Sequence, residues 1–366
     1  MTPTADGPTG VLLLNMGGPD SLDAVEPFLF NLFNDNDIIP LPARGFLLQR
    51  PLAWLISSRR ARFVRGYYEK IGRRSPIARI TRLQARLLEE RLNRDRAGAF
   101  RVHVAMRYWH PFTDEALAAM QQDGVRRIVA LTLYPHYTTA TTASSLNELR
   151  RRLRRFPALA SLPLLAIDRY PDEPLYLDAL ARRVRRALHR FPVESRPGVM
   201  VLFSAHGLPV SFIAKGDPYV EHLHTTITGV IARLVQAEGF ISEWRLSFQS
   251  RAGRARWLEP STENALKQLA AEGRRDVLAV PISFVSDHIE TLYEIDMLFG
   301  EEARCARFTR PRTRTRDRSA PSCVPPGRRR ACRSGRSPRR PGCPTRTSRR
   351  SRPATGCRPP PPCAPW

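Results

Sequence analysis

The stretch Val199-Met200-Val201-Leu202-Phe203-Ser204-Ala205-His206-Gly207-Leu208-Pro209 carries the clearest fold signal in the chain. Its first five residues are apolar without interruption, which is typical of a parallel strand covered on both faces. The ligand crevice of an open α/β sheet lies at the carboxyl ends of its strands, so we expect His206 to point into a cleft. A neutral imidazole there can bind a metal or accept a proton. The alternative interpretation is that His206 merely ends the strand and has no chemical role.

Similar aliphatic runs recur along the first 300 residues, and amphipathic patterns lie between them. One helix is predicted over residues 173–190, where Leu177, Leu180, Val184 and Leu188 follow each other at spacings of three and four. This alternation of strands and helices predicts a doubly wound α/β fold. The predicted strands cover residues 10–15, 101–106, 127–133, 164–168, 198–204, 245–249 and 276–283.

The chain also contains a sign of duplication. Gly124-Val125-Arg126-Arg127-Ile128-Val129-Ala130-Leu131 resembles Gly273-Arg274-Arg275-Asp276-Val277-Leu278-Ala279-Val280, which lies 149 residues later. We therefore predict two similar Rossmann-like domains with parallel sheets, residues 1–170 and 171–302, with the active-site cleft between them. The linker is predicted at residues 169–173, near Pro171.

The basic charge of the chain belongs mainly to its last residues. Residues 305–366 contain 18 arginines and one aspartate, and so carry +17 of the net +25. Residues 303–366 are rich in Arg and Pro and poor in aliphatic residues, which predicts a disordered tail. A shifted reading frame of a GC-rich gene explains that composition and would make the tail non-functional; an RNA-binding arm or a cluster-binding segment are the alternatives. The remainder has no basic-aromatic stripe, so we predict no specific nucleic-acid partner.

Cysteine usage and hydropathy favour a cytoplasmic protein. Residues 1–304 contain no cysteine, and we see neither a signal peptide nor an apolar run of the length that spans a bilayer. The apolar stretch from Phe46 to Ile56 is flanked by arginines and is interpreted as core, cleft lip or a peripheral membrane contact. All the cysteines lie in the tail: Cys305, Cys323, Cys332, Cys343, Cys357 and Cys363.

A second chemical motif follows the last predicted strand. Asp287, Glu290 and Glu294 stand at i, i+3 and i+7, which predicts three carboxylates along one face of an α-helix beside His288. An acidic residue in the first turn suits the helix dipole, but that role does not explain Glu294. The row of like charges therefore indicates that cations pass along it.

Three further motifs follow strands and are predicted to line the same cleft. Asn15-Met16-Gly17-Gly18-Pro19 lacks the glycine spacing of a dinucleotide site and indicates instead a turn that a flat ligand can approach. Arg107-Tyr108-Trp109-His110-Pro111 places a cation beside aromatic rings. Tyr134-Pro135-His136-Tyr137 leads into a loop rich in hydroxyl groups.

Together these motifs resemble those of the ferrochelatase family. Further matches are Tyr68-Glu69-Lys70-Ile71-Gly72, Ser75-Pro76-Ile77, Phe248-Gln249-Ser250-Arg251 and Trp257-Leu258-Glu259-Pro260, in family order across roughly residues 10–300. The resemblance implies two Rossmann-like domains that grip a porphyrin. It also implies a lyase that inserts ferrous iron, its substrate metal, into protoporphyrin IX to form protohaem, the final step of haem biosynthesis.

The resemblance assigns roles to nine residues. Catalysis and metal binding fall to His206 and Glu290. The polar residues behind this pair are Asp287, His288 and Glu294. The substrate-binding positions are Met16, Arg107, Tyr108 and Tyr134.

The sequence alone leaves alternatives to this reaction open. The substrate could be coproporphyrin III or another tetrapyrrole, or the chain could be a haem or porphyrin carrier without turnover. A carrier needs only one axial ligand, so the presence of both His206 and Glu290 argues for an enzyme. No iron–sulfur cluster is expected, because the tail cysteines are spaced irregularly and the preceding residues contain none.

Overall fold

A computed structural model of the chain describes residues 7–38, 48–240, 243–251 and 255–308, with side chains as far as Arg304. Within these ranges seven strands form two parallel sheets, of order β2-β1-β3-β4 and β6-β5-β7. The predicted α/β architecture with parallel sheets is therefore confirmed. The strands are β1 (Thr9–Asn15), β2 (Phe100–Met106), β3 (Arg127–Thr132), β4 (Leu164–Ile167), β5 (Met200–His206), β6 (Trp244–Gln249) and β7 (Val277–Pro281).

Helices connect the strands and cover both sheets. Two of them are π-helices, a short one at Thr139–Ala143 and a long one at Glu290–Phe299, and a 3-10 helix spans Val193–Gly198. The α-helices are α1 (Val25–Phe33), α2 (Gln49–Lys70), α3 (Ile77–Leu92), α4 (Thr113–Gln122), α5 (Ser144–Leu153), α6 (Pro157–Ala160), α7 (Pro174–Leu188), α8 (Val210–Ala214), α9 (Tyr219–Glu238), α10 (Thr262–Ala271) and α11 (Gly300–Phe308).

The two sheets repeat one arrangement. β1 lies between β2 and β3, and β5 lies in the same way between β6 and β7. The duplicated sequences end in β3 and β7, which occupy equivalent places beside the central strands. We call β1–β4 with their helices the N-terminal half and β5–β7 with theirs the C-terminal half. The sheets fall within the predicted domains, whose boundaries stay a prediction.

The central strand β5 is buried on both faces because alternate side chains point to opposite sides of a sheet. Val201 and Phe203 pack against α7 and α9, whereas Met200 and Leu202 pack against α10 and the long π-helix. A third apolar cluster joins the halves, since Ile289 of the C-terminal half packs with α1, α2 and Tyr108. We call it the bridging cluster.

The carboxyl ends of two strands differ from the prediction by two residues. β5 continues to His206, two residues beyond the predicted end, because its last residues still pair with β6, His206 opposite Gln249. β7 ends at Pro281, two residues earlier than predicted, and the hydrogen bond from Ile282 N–H to Ser204 O at 3.1 Å closes its ladder with β5. His206 is thus the last residue of the central strand.

The C-terminal prediction also needs adjustment. Helix α11 runs to Phe308, so residues 303–308, which were placed in the disordered tail, are helical. Ala303 packs on the core that contains Leu202. Residues 309–366 lie outside the described residues, as do Phe46 and Leu47 of the predicted membrane-contact stretch. Within the described ranges no helix is both long and apolar enough to cross a membrane.

Candidate active site

His206 and Glu290 meet at the carboxyl edge of the second sheet. His206 ends β5, Glu290 begins the long π-helix after β7, and β5 and β7 are neighbours. His206 Nδ1 lies 2.8 Å from Glu290 Oε2. The His206 side chain is 36% exposed and that of Glu290 only 10%. The pair therefore presents its histidine to an opening and its carboxylate to the interior.

The two groups stabilise each other's charge. Burial alone lowers the pKa of His206, but the Glu290 carboxylate more than offsets this and raises the pKa above its ordinary value. Burial likewise favours the neutral form of Glu290, yet the His206 charge and hydrogen bond hold the pKa of this carboxyl well below its usual range. The two directions together favour an ion pair, in which protonated Nδ1 donates to Oε2.

Two polar residues at the end of β6 also contact Glu290. Gln249 Nε2 donates to Glu290 Oε2 over 3.3 Å, and Ser204 Oγ donates to Gln249 Oε1 over 2.6 Å, which orients the amide. Ser250 Oγ lies 2.9 Å from Glu290 Oε2 and 2.6 Å from Glu294 Oε2. Sequence reasoning assigned no role to Gln249 and Ser250, although the strand-end rule that selected Arg107 applies to them equally.

The predicted row of three carboxylates is wrong for Asp287. This residue precedes the π-helix, is exposed, and accepts a hydrogen bond from Thr291 Oγ1 at 3.1 Å. The prediction placed Asp287 in the first turn of an α-helix, whereas the helix is a π-helix that begins at Glu290, so Asp287 shares no helical face with Glu290. Glu290 and Glu294 remain together, both buried and both in contact with Ser250.

His288 lies close behind the pair. Its ring is buried and contacts Phe284, with 4.2 Å between the ring centroids. Its Nε2 is 3.7 Å from Glu290 Oε1, the carboxylate oxygen that faces away from His206. The contact with His288 is a further cause that lowers the pKa of Glu290.

Arg107 and Tyr108 form a separate cluster around Asp35 in the N-terminal half. Arg107 Nη2 lies 2.9 Å from Asp35 Oδ2, and Tyr108 Oη donates to the same oxygen over 2.7 Å. Ser144 Oγ donates to it over 2.5 Å and accepts from Arg107 Nε at 2.9 Å. Burial raises the pKa of Tyr108, so its hydroxyl stays a neutral donor. Asp35 was not predicted, because it follows α1 rather than a strand.

The other two predicted substrate positions differ in their surroundings. Met16 packs on the bridging cluster together with Tyr108, Ile289 and Tyr293, so it lies where the two halves meet. Tyr134 is 9% exposed, and its Oη lies 3.3 Å from Ser145 Oγ. Substrate contact by these residues stays a prediction.

The sequence matches one family model over most of its length. The model is that of ferrochelatase, and it covers residues 8–317. The chain belongs to the ferrochelatase family. Ferrochelatases are lyases that insert ferrous iron into a porphyrin in haem synthesis, and this reaction agrees with a partly exposed histidine paired with a buried carboxylate.

Individual ferrochelatases are similar over nearly the same region. The ferrochelatase of Geotalea daltonii is 52% identical over 297 residues, which are 81% of this chain and 88% of the relative. That of Desulfotalea psychrophila is 50% identical, with the same coverage of both chains. The ferrochelatase of Trichormus variabilis is 44% identical over 308 residues, 83% of this chain and 77% of its own.

Proposed function

We propose that His206 and Glu290 carry out the insertion of ferrous iron, and that protoporphyrin IX, bound in the cleft between the halves, receives it. The observation that carries the proposal is the 2.8 Å contact between Nδ1 and Oε2 at the carboxyl edge of the second sheet. Insertion replaces two pyrrole N–H protons by Fe²⁺, so the site must both deliver a cation and accept protons. A histidine paired with a carboxylate offers groups for both tasks.

The number of ligands suits a metal in transit. Among the described residues, no group of three or more His, Cys, Asp or Glu side chains is arranged to hold a metal ion. An iron ion between His206 and Glu290 would thus keep most of its coordination positions for water and for the pyrrole nitrogens. Fe²⁺ competes there with the proton on Nδ1, and its departure into the ring leaves both groups able to take protons again.

Ser250 connects the pair to a second carboxylate. Its hydroxyl lies between Glu290 and Glu294, both buried, so a proton received at Glu290 has a neighbouring acceptor in the long π-helix. We propose that Glu294 receives protons from Glu290 while His206 faces the porphyrin. Met16, Arg107, Tyr108 and Tyr134 are proposed to support the macrocycle from the N-terminal half.

The experiment for this function is anaerobic incubation of the protein with Fe²⁺ and porphyrin, followed by absorbance. Protoporphyrin IX should convert to protohaem over many turnovers. Coproporphyrin III is the competing substrate and is tested in parallel. Stoichiometric binding of haem without turnover would instead make the chain a carrier, and conversion of coproporphyrin alone would assign the other substrate.

We also propose that α2 contacts a membrane surface from the cytoplasmic side. The helix exposes Leu52, Trp54, Leu55 and Phe63, with Trp54 61% and Phe63 63% exposed, beside exposed arginines. Apolar and basic side chains on one helix favour adsorption to anionic lipid. Replacement of Trp54 and Phe63 by Ser should reduce sedimentation with anionic vesicles, whereas Leu175→Ser on α7, equally exposed, should not.

A further inference from the structure

The backbone of His206 lies beyond the end of the ladder between β5 and β7. Ile282 N–H still donates to Ser204 O over 3.1 Å, so the next backbone groups of β5 on this side are those of His206. No strand pairs with them, since β7 ends at Pro281. Two side chains pair with these backbone groups instead of a strand. His206 N–H donates to Ser283 Oγ over 3.2 Å, and His206 C=O accepts from Tyr219 Oη over 3.0 Å.

These contacts close into a ring. Tyr219 Oη and Ser283 Oγ lie 2.6 Å apart. Tyrosine has one hydroxyl hydrogen, and the His206 carbonyl can only accept, so that hydrogen points to the carbonyl. Ser283 Oγ–H therefore donates to Tyr219 Oη while its oxygen accepts from His206 N–H. Each of the three residues donates once and accepts once within this ring.

Tyr219 is itself held by both halves of the molecule. Its N–H donates to Asp217 Oδ1 over 3.1 Å. Asp217 Oδ2 accepts from Thr138 Oγ1 at 2.9 Å and from Thr139 N–H at 2.7 Å, just before the short π-helix. The His136 ring packs edge-on against the Tyr219 ring, with centroids 6.2 Å apart. These contacts from both halves hold Tyr219, and with it the hydroxyl that bonds to His206.

We propose that Tyr219 and Ser283 are positioning residues for iron insertion, because they fix the backbone of His206 so that Nδ1 stays against Glu290. This inference rests on the role proposed for His206. Tyr219 is only 3% exposed, so it has no surface for the porphyrin and acts through the histidine. Small displacements of a reacting group cost large factors in rate, which is why a backbone clamp matters at this position.

The test is a double-mutant cycle with steady-state kinetics. Tyr219→Phe and Ser283→Ala should each lower kcat about tenfold with the porphyrin KM unchanged, since a displaced catalytic group loses rate rather than binding. The double variant should also lose about tenfold rather than a hundredfold, because one ring is broken in all three proteins. Ser283→Thr, which keeps the hydroxyl, should restore the rate.

Tyr176→Phe is the matched control. Tyr176 is another tyrosine of the same core, and its Oη donates to the neighbouring Ile282 O over 3.4 Å without touching His206. Tyr176→Phe should keep the wild-type kcat. A comparison of the melting temperatures of Tyr219→Phe and Tyr176→Phe should show whether both variants fold equally well. Should Tyr219→Phe not fold, Ser283→Ala and Ser283→Thr still form a complete comparison.

Two results would overturn the inference: wild-type kcat in Ser283→Ala, or losses that multiply in the double variant. Hydrogen exchange separates this failure from a failure of the proposed function. The His206 amide should exchange faster in Ser283→Ala and normally in Ser283→Thr, whatever the role of the imidazole. If His206→Ala remained active while this exchange pattern held, the ring would exist but the proposed role of His206 would be wrong.

Discussion

Each half of the molecule pairs a cation with a carboxylate at the carboxyl edge of its sheet, but the two pairs differ in chemistry. In the N-terminal half Arg107 follows β2 and lies 2.9 Å from Asp35. In the C-terminal half His206 ends β5 and lies 2.8 Å from Glu290. Each carboxylate also accepts a hydrogen bond from a serine, Ser144 in the first pair and Ser250 in the second.

The two pairs differ in whether the cation can release a proton. A guanidinium does not release its protons in a protein, so Arg107 has no lone pair to offer a metal, and its charge simply balances that of Asp35. An imidazole can exchange its proton for a cation and take it back. The pair in the N-terminal half therefore balances charge, whereas the pair in the C-terminal half also has the proton exchange that our proposal for His206 requires.

The two π-helices also differ in their ionisable side chains. Both follow the strand beside the central one, β3 in the first sheet and β7 in the second. The short π-helix, Thr139–Ala143, contains no ionisable side chain, whereas the long one contains Glu290 and Glu294. π-Helical turns are rare and often mark functional sites, and here the one with carboxylates adjoins the histidine.

The largest effect is expected from His206→Ala. Iron insertion should fall by about 10²–10⁴-fold, which is the usual contribution of a positioned acid–base group. Porphyrin binding, measured by quenching of porphyrin fluorescence, should persist, because apolar packing rather than the imidazole holds the macrocycle. Turnover within about tenfold of wild type would remove His206 from the mechanism.

Glu290→Gln should keep the fold and lose most activity, about a hundredfold, because the amide preserves shape but not charge. Glu294→Gln should lose less, on the order of tenfold, since the Ser250 hydroxyl stands between Glu294 and Glu290. Single-turnover insertion rates compare the two. The reverse order would show that Glu294, not Glu290, is the carboxylate nearest the metal.

Asp35→Ala tests the ion pair between Arg107 and Asp35 in the N-terminal half. Removing Asp35 leaves Arg107 buried without its partner, which should reduce the free energy of unfolding by about 3 kcal/mol in urea titrations. Asp178→Ala, which removes the more exposed partner of Arg233, is the control and should cost less than about 1 kcal/mol. Equal losses in both variants would mean that the Arg107 pair contributes no more than a surface ion pair.

A smaller effect concerns acid stability at the contact between the halves. Burial lowers the pKa of His136 to about 3 in the folded chain, below its ordinary value of 6.5. Above pH 6.5 both states are neutral, but below it only the unfolded chain gains a proton, so stability falls by about 1.4 kcal/mol per pH unit until pH 3. His136→Gln should flatten this slope in denaturant titrations between pH 6.5 and 4.5. An unchanged slope would show that His136 is not buried neutral.

The smallest effect is expected from deletion of residues 309–366. Both ion pairs lie outside this segment, and its Arg- and Pro-rich composition lacks the apolar residues that a docked segment needs. We expect unchanged kcat and melting temperature, and we propose that no iron–sulfur cluster is required. A large loss of activity on deletion, or stoichiometric iron and sulfide in the full chain, would contradict this.

Strand-end residues were predictable for a physical reason. Runs of apolar residues locate the strands, and parallel strands gather their carboxyl ends at one edge, so the sequence placed His206, Arg107 and the segment after β7 at the ends of strands, where the structure also has them. Gln249 and Ser250 obey the same rule and could have been selected with it. Asp35 could not, because nothing local marks a residue after α1 as the partner of Arg107, 72 positions later.

The sequence by itself determined the α/β class, the positions of the strands and the family, because apolar periodicity and motif order are properties of the chain read locally. Tertiary structure alone decided that His206 contacts Glu290, 84 residues away, through the neighbouring positions of β5 and β7. It also decided that Asp287 is separate from Glu290 and Glu294, since the π-helix that carries them begins only at Glu290. The ring around His206 arises where a ladder ends, and strand ends are set by pairing between segments, which no single segment encodes.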